Sequence, residues 1–380
     1  MKRHITITVW FSALILSGCI TDYEVKGIKG LNTILVVDGF ITDDESVITL
    51  NSSVDLMNDD PVSSTCIDDA DVSVECDDGT IFKAKAPELE SGSRNGRYVI
   101  RTGKLNPECK YRLKIEIDEN GSRSEYCSGF SYPIETPEID SVFWTKEDNG
   151  LPVRIHVATH APDHTVMYYR WSYREDWEIV SEAFLEPYPE YCWNEDKNRE
   201  VLVASAEKTV SGRTIEVITE ISPHNRKLER LYRITVNQNA ISKKAYDYYA
   251  NIIKNADRTG SIFAPIPSEL RGNIACTTDP KNPVIGYVDV STTTRNHLYI
   301  SYWDGAFEYR VSECEVIAFK VNSETGVVIP DEFVDFYVVY KIEYIIGTKI
   351  PTDFEIILES CVDCTYFGTT RKPENWPNDH

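Results

Sequence analysis

Cysteine is the residue type in this sequence whose spacing points most directly to chemistry. The chain has ten cysteines, and Cys361 and Cys364 form its one Cys-x-x-Cys pair. Such a pair serves in redox enzymes and zinc sites, but a structural zinc site needs a second pair, and no βαβ pattern of a redox domain lies nearby. We therefore expect disulfides here: Cys361 with Cys364, or one of the two with Cys192 or Cys276.

Histidines and carboxylates are the other residues suited to metal or acid–base chemistry. His156, His160 and His164 recur at four-residue spacing, but the turn at Pro162 breaks their alignment, so we predict no metal site there. A cluster of aspartates does not match the twelve-residue calcium loop and is better explained as solvated charge at turns. Its members are Asp59, Asp60, Asp68, Asp69, Asp71, Asp77 and Asp78. The sequence has no nucleophile elbow, metalloprotease His-Glu pair or phosphate-binding glycine loop, so we expect no catalytic residue, no metal and no cofactor.

The N-terminus has the pattern of an export signal. Lys2 and Arg3 precede an apolar run over residues 5–16, which is too short to span a bilayer as a permanent helix. The run leads into Leu-Ser-Gly-Cys at Cys19, which resembles the lipobox of bacterial lipoproteins. We therefore expect Cys19 to carry a diacylglycerol on its sulfur and an acyl chain on its freed amine, which together form a stable anchor. The alternative is a plain secretory signal with an incidental cysteine.

Composition bounds the size of the fold and the class of partner. With 380 residues, 42% of them hydrophobic, the chain is long enough for about two domains. Its 39 basic and 61 acidic residues give a formal net charge of −22. Such a surface repels nucleic acid and anionic lipid headgroups, so we exclude both as direct partners. We expect contact with a membrane through the lipid anchor only.

Short alternating runs bounded by turn signals predict a mainly β fold. We expect two Ig-like or fibronectin-like antiparallel β-sandwich domains, with one helical excursion in the second. That helix covers about 242–258 and begins at Ser242, a good N-cap residue. The predicted segments are a lipoprotein signal peptide (1–18), an anchor and tether (19–30), an N-terminal sandwich (31–134), a larger sandwich (135–360) and a Cys-containing C-terminal tail (361–380).

The tryptophans allow two interpretations. Aromatic residues of β-rich chains most often fill a sandwich core. Trp171, Trp177, Trp193 and Trp303, together with many tyrosines, are also of the type that forms a ligand-stacking platform.

From Arg230 onward the residues become more specific. The stretch "RLYRITVNQNAISKKAYDYYANIIKNADRTGSIFAPIPSELRGNIAC" resembles the central signature of the Bacteroidota outer-membrane lipoprotein family catalogued as domain of unknown function 4249. "VIGYVDVS" resembles the strand that follows in that family, and "CVDCTYFGTTRKPENW" resembles its C-terminal ending. "ILVVDGFITD" and "DADVSVECDDG" resemble its opening strands. The tail differs in having Tyr366-Phe367-Gly368 where the family more often has a Gly-Gly pair.

The resemblance implies a setting rather than a reaction. Such proteins are similar in setting to the lipoproteins that accompany TonB-dependent transporters. We therefore expect a non-enzymatic outer-membrane protein, facing the cell exterior, that captures an unknown small ligand, glycan or peptide for such a transporter. The alternative is a structural or adhesive surface protein, and a carbohydrate-active or peptide-processing enzyme is a more distant one.

One loop segment is the candidate surface for the transporter. It combines apolar side chains with a stiff backbone, which lowers the ordering cost of binding. Its residues are Ile262, Phe263, Pro265, Ile266 and Pro267. The competing interpretation is that the segment packs the helix onto the second sandwich.

Overall fold

The computed structural model of the protein describes residues 34–52, 65–85, 95–119, 122–148, 150–161, 164–198, 200–209, 211–256, 272–305, 314–322, 324 and 326–377. In these ranges the fold is mainly β, as the sequence predicts, and the strands form four sheets. The strands are β1 (Leu35–Gly39), β2 (Asp44–Ser52), β3 (Thr65–Cys66), β4 (Asp71–Cys76), β5 (Ile81–Lys85), β6 (Arg97–Gly103), β7 (Tyr111–Glu119), β8 (Ser122–Ser128), β9 (Ile139–Thr145), β10 (Val153–His160), β11 (Tyr168–Val180), β12 (Tyr191–Lys197), β13 (Leu202–Ser205), β14 (Arg213–Ile221), β15 (Leu231–Ala240), β16 (Ile274–Cys276), β17 (Val284–Gly286), β18 (Thr293–Ser301), β19 (Ile317–Lys320), β20 (Tyr337–Tyr344) and β21 (Pro351–Leu358). The helices are α1 (Lys243–Ala256) and the single turn α2 (Glu359–Val362), with 3₁₀ turns at Arg226–Leu228, Tyr302–Asp304 and Cys364–Tyr366.

The first eight strands fold around a core of their own. The sheet order is β16-β8-β7-β4-β5-β6-β2-β1-β17, and β5 pairs with both β4 and β6. Successive side chains of a strand point to opposite faces, and Val72, Val74 and Cys76 of β4 are accordingly buried while the residues between them are not. Leu50 from one half of the sheet and Leu113 from the other belong to the same core cluster. The two halves therefore enclose a sandwich core.

Two short strands from later in the chain complete this first sandwich. β16 pairs with β8, β17 pairs in parallel with β1, and Ile274 and Val288 are buried in the first core. The segment lies within the predicted second domain (135–360), so the simple division near residue 134 needs a correction. The physical reason is that the two ends of the sheet have backbone groups that need strand partners, and this apolar segment supplies them.

The second sandwich has a three-stranded sheet, β14-β10-β9, and a five-stranded sheet. In the five-stranded sheet the order is β12-β11-β15-β18, and β13 also pairs with β11. The core cluster takes Ile155 and Val157 from the first sheet and Tyr169, Trp171 and Ile234 from the second. These two facing layers form the second of the predicted β-sandwiches.

Helix α1 packs at the junction of the two sandwiches. Ser242 caps it, since the Ser242 hydroxyl accepts a hydrogen bond from the backbone N–H of Ala245 at 3.2 Å. Tyr249 of the helix belongs to a buried cluster with Tyr168 of the second sandwich and Tyr287 of the segment that joins the first. The helix ends at Ala256, and residues 257–258 of the predicted helix lie outside the described residues. Within the described ranges, the helices are all too short or too polar to cross a membrane.

Two disulfides attach the C-terminal part of the chain. They join Cys192 to Cys364 and Cys314 to Cys361. The first bond is one of the pairings expected from the sequence. The structure corrects the rest of that expectation: Cys361 bonds to Cys314 rather than to Cys364, and Cys276 has a free thiol because β16 places it in the first core. Cys192–Cys364 links the C-terminal tail to β12 of the second sandwich, and Cys314–Cys361 joins the two ends of the segment that forms a small sheet, β19-β21-β20.

Candidate functional site

The lipidation site and the predicted partner segment lie outside the described residues. Cys19 precedes residue 34, where the described chain begins. The loop residues Ile262, Phe263, Pro265, Ile266 and Pro267 all fall within 257–271. Both predictions therefore stay predictions.

The three regularly spaced histidines are not brought together. His156 stacks on Phe143 with ring centroids 4.9 Å apart, and its Nε2 lies 2.7 Å from the hydroxyl of Thr145. His160 Nδ1 lies 2.6 Å from a carboxylate oxygen of Asp140. In the described ranges, these histidines are not part of any group of three or more His, Cys, Asp and Glu side chains close enough to share a metal ion.

A different group has the proximity that a metal ion needs. Cys76, Asp77 and Cys109 each place one potential ligand atom within 4.8 Å of the others. Sequence reasoning missed this group, although "ECDDG" and "NPECK" each put a cysteine at a turn next to a strand. Two of the predicted acidic residues behave as expected of turns: Asp78 accepts the N–H of Thr80, and Asp68 accepts that of Gly96.

An open cleft of about 480 Å³ lies at one side of the second sandwich. One wall consists of the middle of β11, the end of β12, the start of β13 and the residues between β12 and β13; the other consists of β14. Its volume is in the range of small-ligand sites, which span about 300–1,000 Å³. A much smaller hollow of about 20 Å³ lies between the end of β14 and the 3₁₀ turn at Arg226–Leu228.

The pairing pattern of β11 explains why the cleft forms. β13 pairs with β11 over Tyr168–Trp171, and β12 pairs with the same strand over Arg174–Val180. Tyr173 falls in the interval between them, where Asn198 takes the place of a strand. The side-chain oxygen of Asn198 accepts from the backbone N–H of Tyr173 at 2.8 Å, and the backbone N–H of Asn198 donates to the Tyr173 carbonyl at 3.2 Å. The chain turns away at this point and leaves the cleft open.

The cleft combines an aromatic floor with an acidic rim. The hydroxyl of Tyr173 hydrogen-bonds with Thr219 across the two sheets, and burial raises the pKa of Tyr173, so the phenol is neutral at physiological pH. Val217 adds an apolar surface that is 44% exposed. Three carboxylates, those of Asp196, Glu200 and Glu220, surround this floor with one ammonium group, that of Lys197. Two of these carboxylates also have cations from neighbouring elements: Arg154 Nε lies 2.9 Å from Glu220, and Lys227 Nζ lies 3.8 Å from Asp196. The exposed carboxylate of Glu200 adds a further negative charge to the rim.

Strand β14 presents one side of its backbone to the cleft. It is the outer strand of the order β14-β10-β9, so within the described chain it has a strand partner on one side only. Residues 217–220 of this strand all line the cleft. An exposed strand edge is a template on which an extended peptide can pair.

A buried ionic network lies on β11 immediately beyond Tyr173. Glu175 accepts from the ammonium of Lys227 and from the hydroxyl of Tyr232, each at 2.7 Å. Asp176 accepts from Arg233 Nη2 at 2.7 Å. Each carboxylate is thus satisfied by a cation, and the network fixes β11 beside the cleft.

The tryptophans lie in different environments along the chain. Trp171 and Trp177 are buried in the second core, whereas Trp303 is 84% exposed. The aromatic residue that reaches the cleft is Tyr173, which the alternation of "MYYRWSY" places on the same strand face as Trp171. The alternation in the sequence indicates on which face of β11 Tyr173 lies. No local sequence pattern indicates that β12 and β13 leave a gap beside Tyr173.

The fold defines a class of protein built from two β-sandwiches with a helix at their junction. The chain belongs to the family described as "Domain of unknown function (DUF4249)", whose sequence model matches residues 20–297. The small sheet β19-β21-β20 follows the matched residues. A comparison with curated proteins finds no match.

Two solved structures are similar to parts of the chain. A DUF4785-family protein from Legionella pneumophila has 11% sequence identity and a TM-score of 0.20; the match covers 54% of this chain and spans about half, 52%, of that one. The chicken interferon gamma receptor alpha chain has 10% identity and a TM-score of 0.17, and the match covers 55% of this chain and 90% of that one.

Proposed function

We propose that this protein is a lipid-anchored outer-membrane lipoprotein that faces the cell exterior, is not an enzyme, and captures a ligand for a TonB-dependent transporter. Membership of the DUF4249 family supports the resemblance from which this setting was inferred. The lipobox-like sequence that ends at Cys19 supports the anchor. The observation that carries ligand capture is the cleft between β11 and β14.

The cleft favours one class of ligand among the small molecules, glycans and peptides considered from sequence. The free edge of β14 offers backbone hydrogen bonds that a peptide in extended conformation can satisfy. The rim has the carboxylates of Asp196, Glu200 and Glu220, and although Lys227 and Arg154 pair with the first and the last, the exposed Glu200 is available to a basic side chain of such a peptide. We therefore propose that the ligand is an extended peptide that carries basic residues.

A lipid-anchored protein cannot itself import what it binds, so it must transfer the ligand. Anchoring the protein and the transporter in one membrane raises their effective concentration, and even a weak interface is then occupied. The segment with Ile262, Phe263, Pro265, Ile266 and Pro267 is the proposed transporter-binding surface. It connects α1, at the junction of the sandwiches, with β16 of the first sandwich.

Replacing Val217 by Lys tests the cleft. The substitution removes an apolar contact and adds a charge that repels a basic ligand, so we expect an alternating Lys-Val octapeptide to bind at least about tenfold more weakly. Isothermal titration calorimetry at low and at high salt measures the affinity, which should fall with salt for the wild-type protein.

The matched control is Ile215→Lys on the same strand. Ile215 is 50% exposed, close to the 44% of Val217, but it does not line the cleft. The Ile215→Lys variant should bind the peptide with an affinity within about twofold of the wild-type value, because a single charge placed outside the cleft has little effect. Equal losses in the two variants, or no binding by the wild-type protein, would contradict the proposal. Binding of a neutral oligosaccharide instead of the peptide would reassign the ligand to the glycans.

A structural or adhesive role is the second candidate. The hairpin turn between β20 and β21 exposes an apolar tip, where Ile346 is fully exposed and Ile350 is 59% exposed. Apolar patches of this kind often mark contact surfaces. Two results together would favour this role over capture. Cells that carry Ile346→Ser would no longer attach to surfaces, and deletion of the protein would leave nutrient uptake unchanged.

A further inference from the structure

Two turns at one end of the first sandwich bring three potential metal ligands together. Cys76 is the last residue of β4, and Cys109 lies two residues before the start of β7. The Sγ atoms of these two cysteines and a carboxylate oxygen of Asp77 lie within 4.8 Å of one another. Cys76 is buried, Cys109 is half-buried, and Asp77 is exposed, so the group is reachable from solvent on its carboxylate side.

The backbone holds these residues in place. β4 and β7 are paired, with Cys76 directly opposite Tyr111. One step further, the backbone N–H of Asp77 donates to the Lys110 carbonyl, and the backbone N–H of Lys110 donates to the Asp77 carboxylate, each at 3.0 Å. The positions of the ligand atoms are thus set by strand pairing rather than by flexible side chains.

Both sulfur atoms also receive N–H donors. The side-chain amide of Asn106 lies 3.1 Å from Cys109 Sγ, and the backbone N–H of Asp78 bonds to the Cys76 thiol. Donors of this kind orient and stabilise thiolates around metal ions. Burial raises the pKa of the Cys76 thiol to about 11. Without a bound cation Cys76 is therefore a protonated thiol rather than a reactive thiolate.

The arrangement suits a metal better than a third disulfide. Cys109 lies in the turn just before β7, and both cysteines are free thiols although their sulfur atoms lie within 4.8 Å of each other. Two thiolates on one tetrahedral zinc ion, each at about 2.3 Å from it, lie only about 3.8 Å apart at sulfur.

We propose that Cys76, Cys109 and Asp77 bind a thiophilic divalent cation of the zinc class, with water as the fourth ligand. The site would join the turn after β4 to the turn before β7, the strand beside it in the sheet. Zinc accepts two sulfur ligands and one carboxylate oxygen in tetrahedral geometry. The inference rests on the first sandwich alone and does not depend on the proposed function.

Titration of the purified, non-reduced protein with Zn²⁺ against a chromophoric chelator tests the site. We expect one Zn²⁺ per chain in the wild-type protein and an affinity more than about tenfold lower in both Cys109→Ser and Asp77→Asn. Co²⁺ as a second probe should give the absorption of a tetrahedral thiolate complex, which is lost in Cys109→Ser. Circular dichroism verifies that each variant is folded.

The matched control is Cys66→Ser, which removes another half-buried free thiol of the first sandwich that is outside the group. It should bind Zn²⁺ like the wild-type protein. The proposal is overturned if the wild-type protein binds no Zn²⁺, if Cys66→Ser loses as much affinity as Cys109→Ser, or if peptide mapping finds Cys76 and Cys109 joined in a disulfide.

Discussion

Asp289 is an ionisable residue that the fold buries at the junction of the sandwiches. Asp289 is only 4% exposed. Its carboxylate accepts two hydrogen bonds from Ser242, one from the backbone N–H at 2.8 Å and one from the hydroxyl at 3.2 Å. Burial raises the pKa of Asp289 above its ordinary 3.8, although these two hydrogen bonds oppose the shift. The cap of α1 is therefore tied to a carboxyl group that ionises with difficulty.

The raised pKa predicts how stability depends on pH. The folded chain holds the Asp289 proton more tightly than the unfolded chain, so the stabilising contribution of this group is complete below the unfolded pKa of about 3.8 and is lost as pH rises through the folded pKa. Asn does not ionise. We therefore expect Asp289→Asn to gain stability relative to the wild-type protein as pH rises from about 3 to about 7.

Urea unfolding of both proteins over this pH range measures the difference, in which the contributions of all other titrating groups cancel. Ser301→Ala, which removes the cap of an exposed 3₁₀ turn, is a control whose difference from wild type should not vary with pH. A difference for Asp289→Asn that falls with rising pH would contradict the assignment.

The small sheet β19-β21-β20 depends on covalent attachment more than the two sandwiches do. No residue of β20 is buried, and the buried apolar residues around this sheet are few: Phe354, Ile356 and Ile357 of β21, with Cys361 and Val362 after it. A core of this size provides little hydrophobic stabilisation, and small units of this kind commonly require disulfides. The bonds Cys314–Cys361 and Cys192–Cys364 meet that need.

Removal of Cys314–Cys361 should therefore release the small sheet. The two cysteines are 47 residues apart, for which the loop-entropy relation gives about 4 kcal/mol. We expect the double variant Cys314→Ala, Cys361→Ala to be cut by protease within β19 to β21 while both sandwiches stay intact. Cys66→Ala is the control, because it removes a free thiol. Protease resistance equal to that of the wild-type protein would show that packing alone holds the sheet.

The proposed lipid anchor at Cys19 can be tested by cell fractionation. With a net charge of −22 the chain gains nothing from anionic headgroups, so the proposed attachment to the outer membrane depends on the proposed lipid on Cys19. In cell fractionation, Cys19→Ser should move the protein from the outer-membrane fraction to the soluble fraction. A variant that stays membrane-bound would contradict lipidation at Cys19.

The same membranes test the partner. After gentle solubilisation, the TonB-dependent transporter should co-purify with the wild-type protein, whereas Phe263→Ala should stay in the membrane and lose the transporter without a change in thermal stability. A large loss of stability with the transporter still bound would show that Phe263 belongs to the packing of the fold. If the transporter co-purifies with neither the wild-type protein nor the Phe263→Ala variant, the proposed association with the transporter is refuted.

Several features of the fold follow from residues that are neighbours in sequence. The alternation in β4 and β11 predicts strands with one buried face, and Ser242 predicts the start of α1, because pleating and capping are decided within a few residues. The cysteine count likewise indicates disulfides. These expectations concern the kinds of elements and where they begin.

Contacts between distant parts of the chain were decided by the tertiary structure. Cys192 and Cys364 are 172 residues apart, and β16 and β17 join a sheet whose other strands end by Ser128. The cleft at Tyr173 and the group around Cys76 both depend on which strand lies beside which. Many strands of this chain have similar alternation, so local pattern does not select their partners; the burial of complementary surfaces in one packed arrangement does.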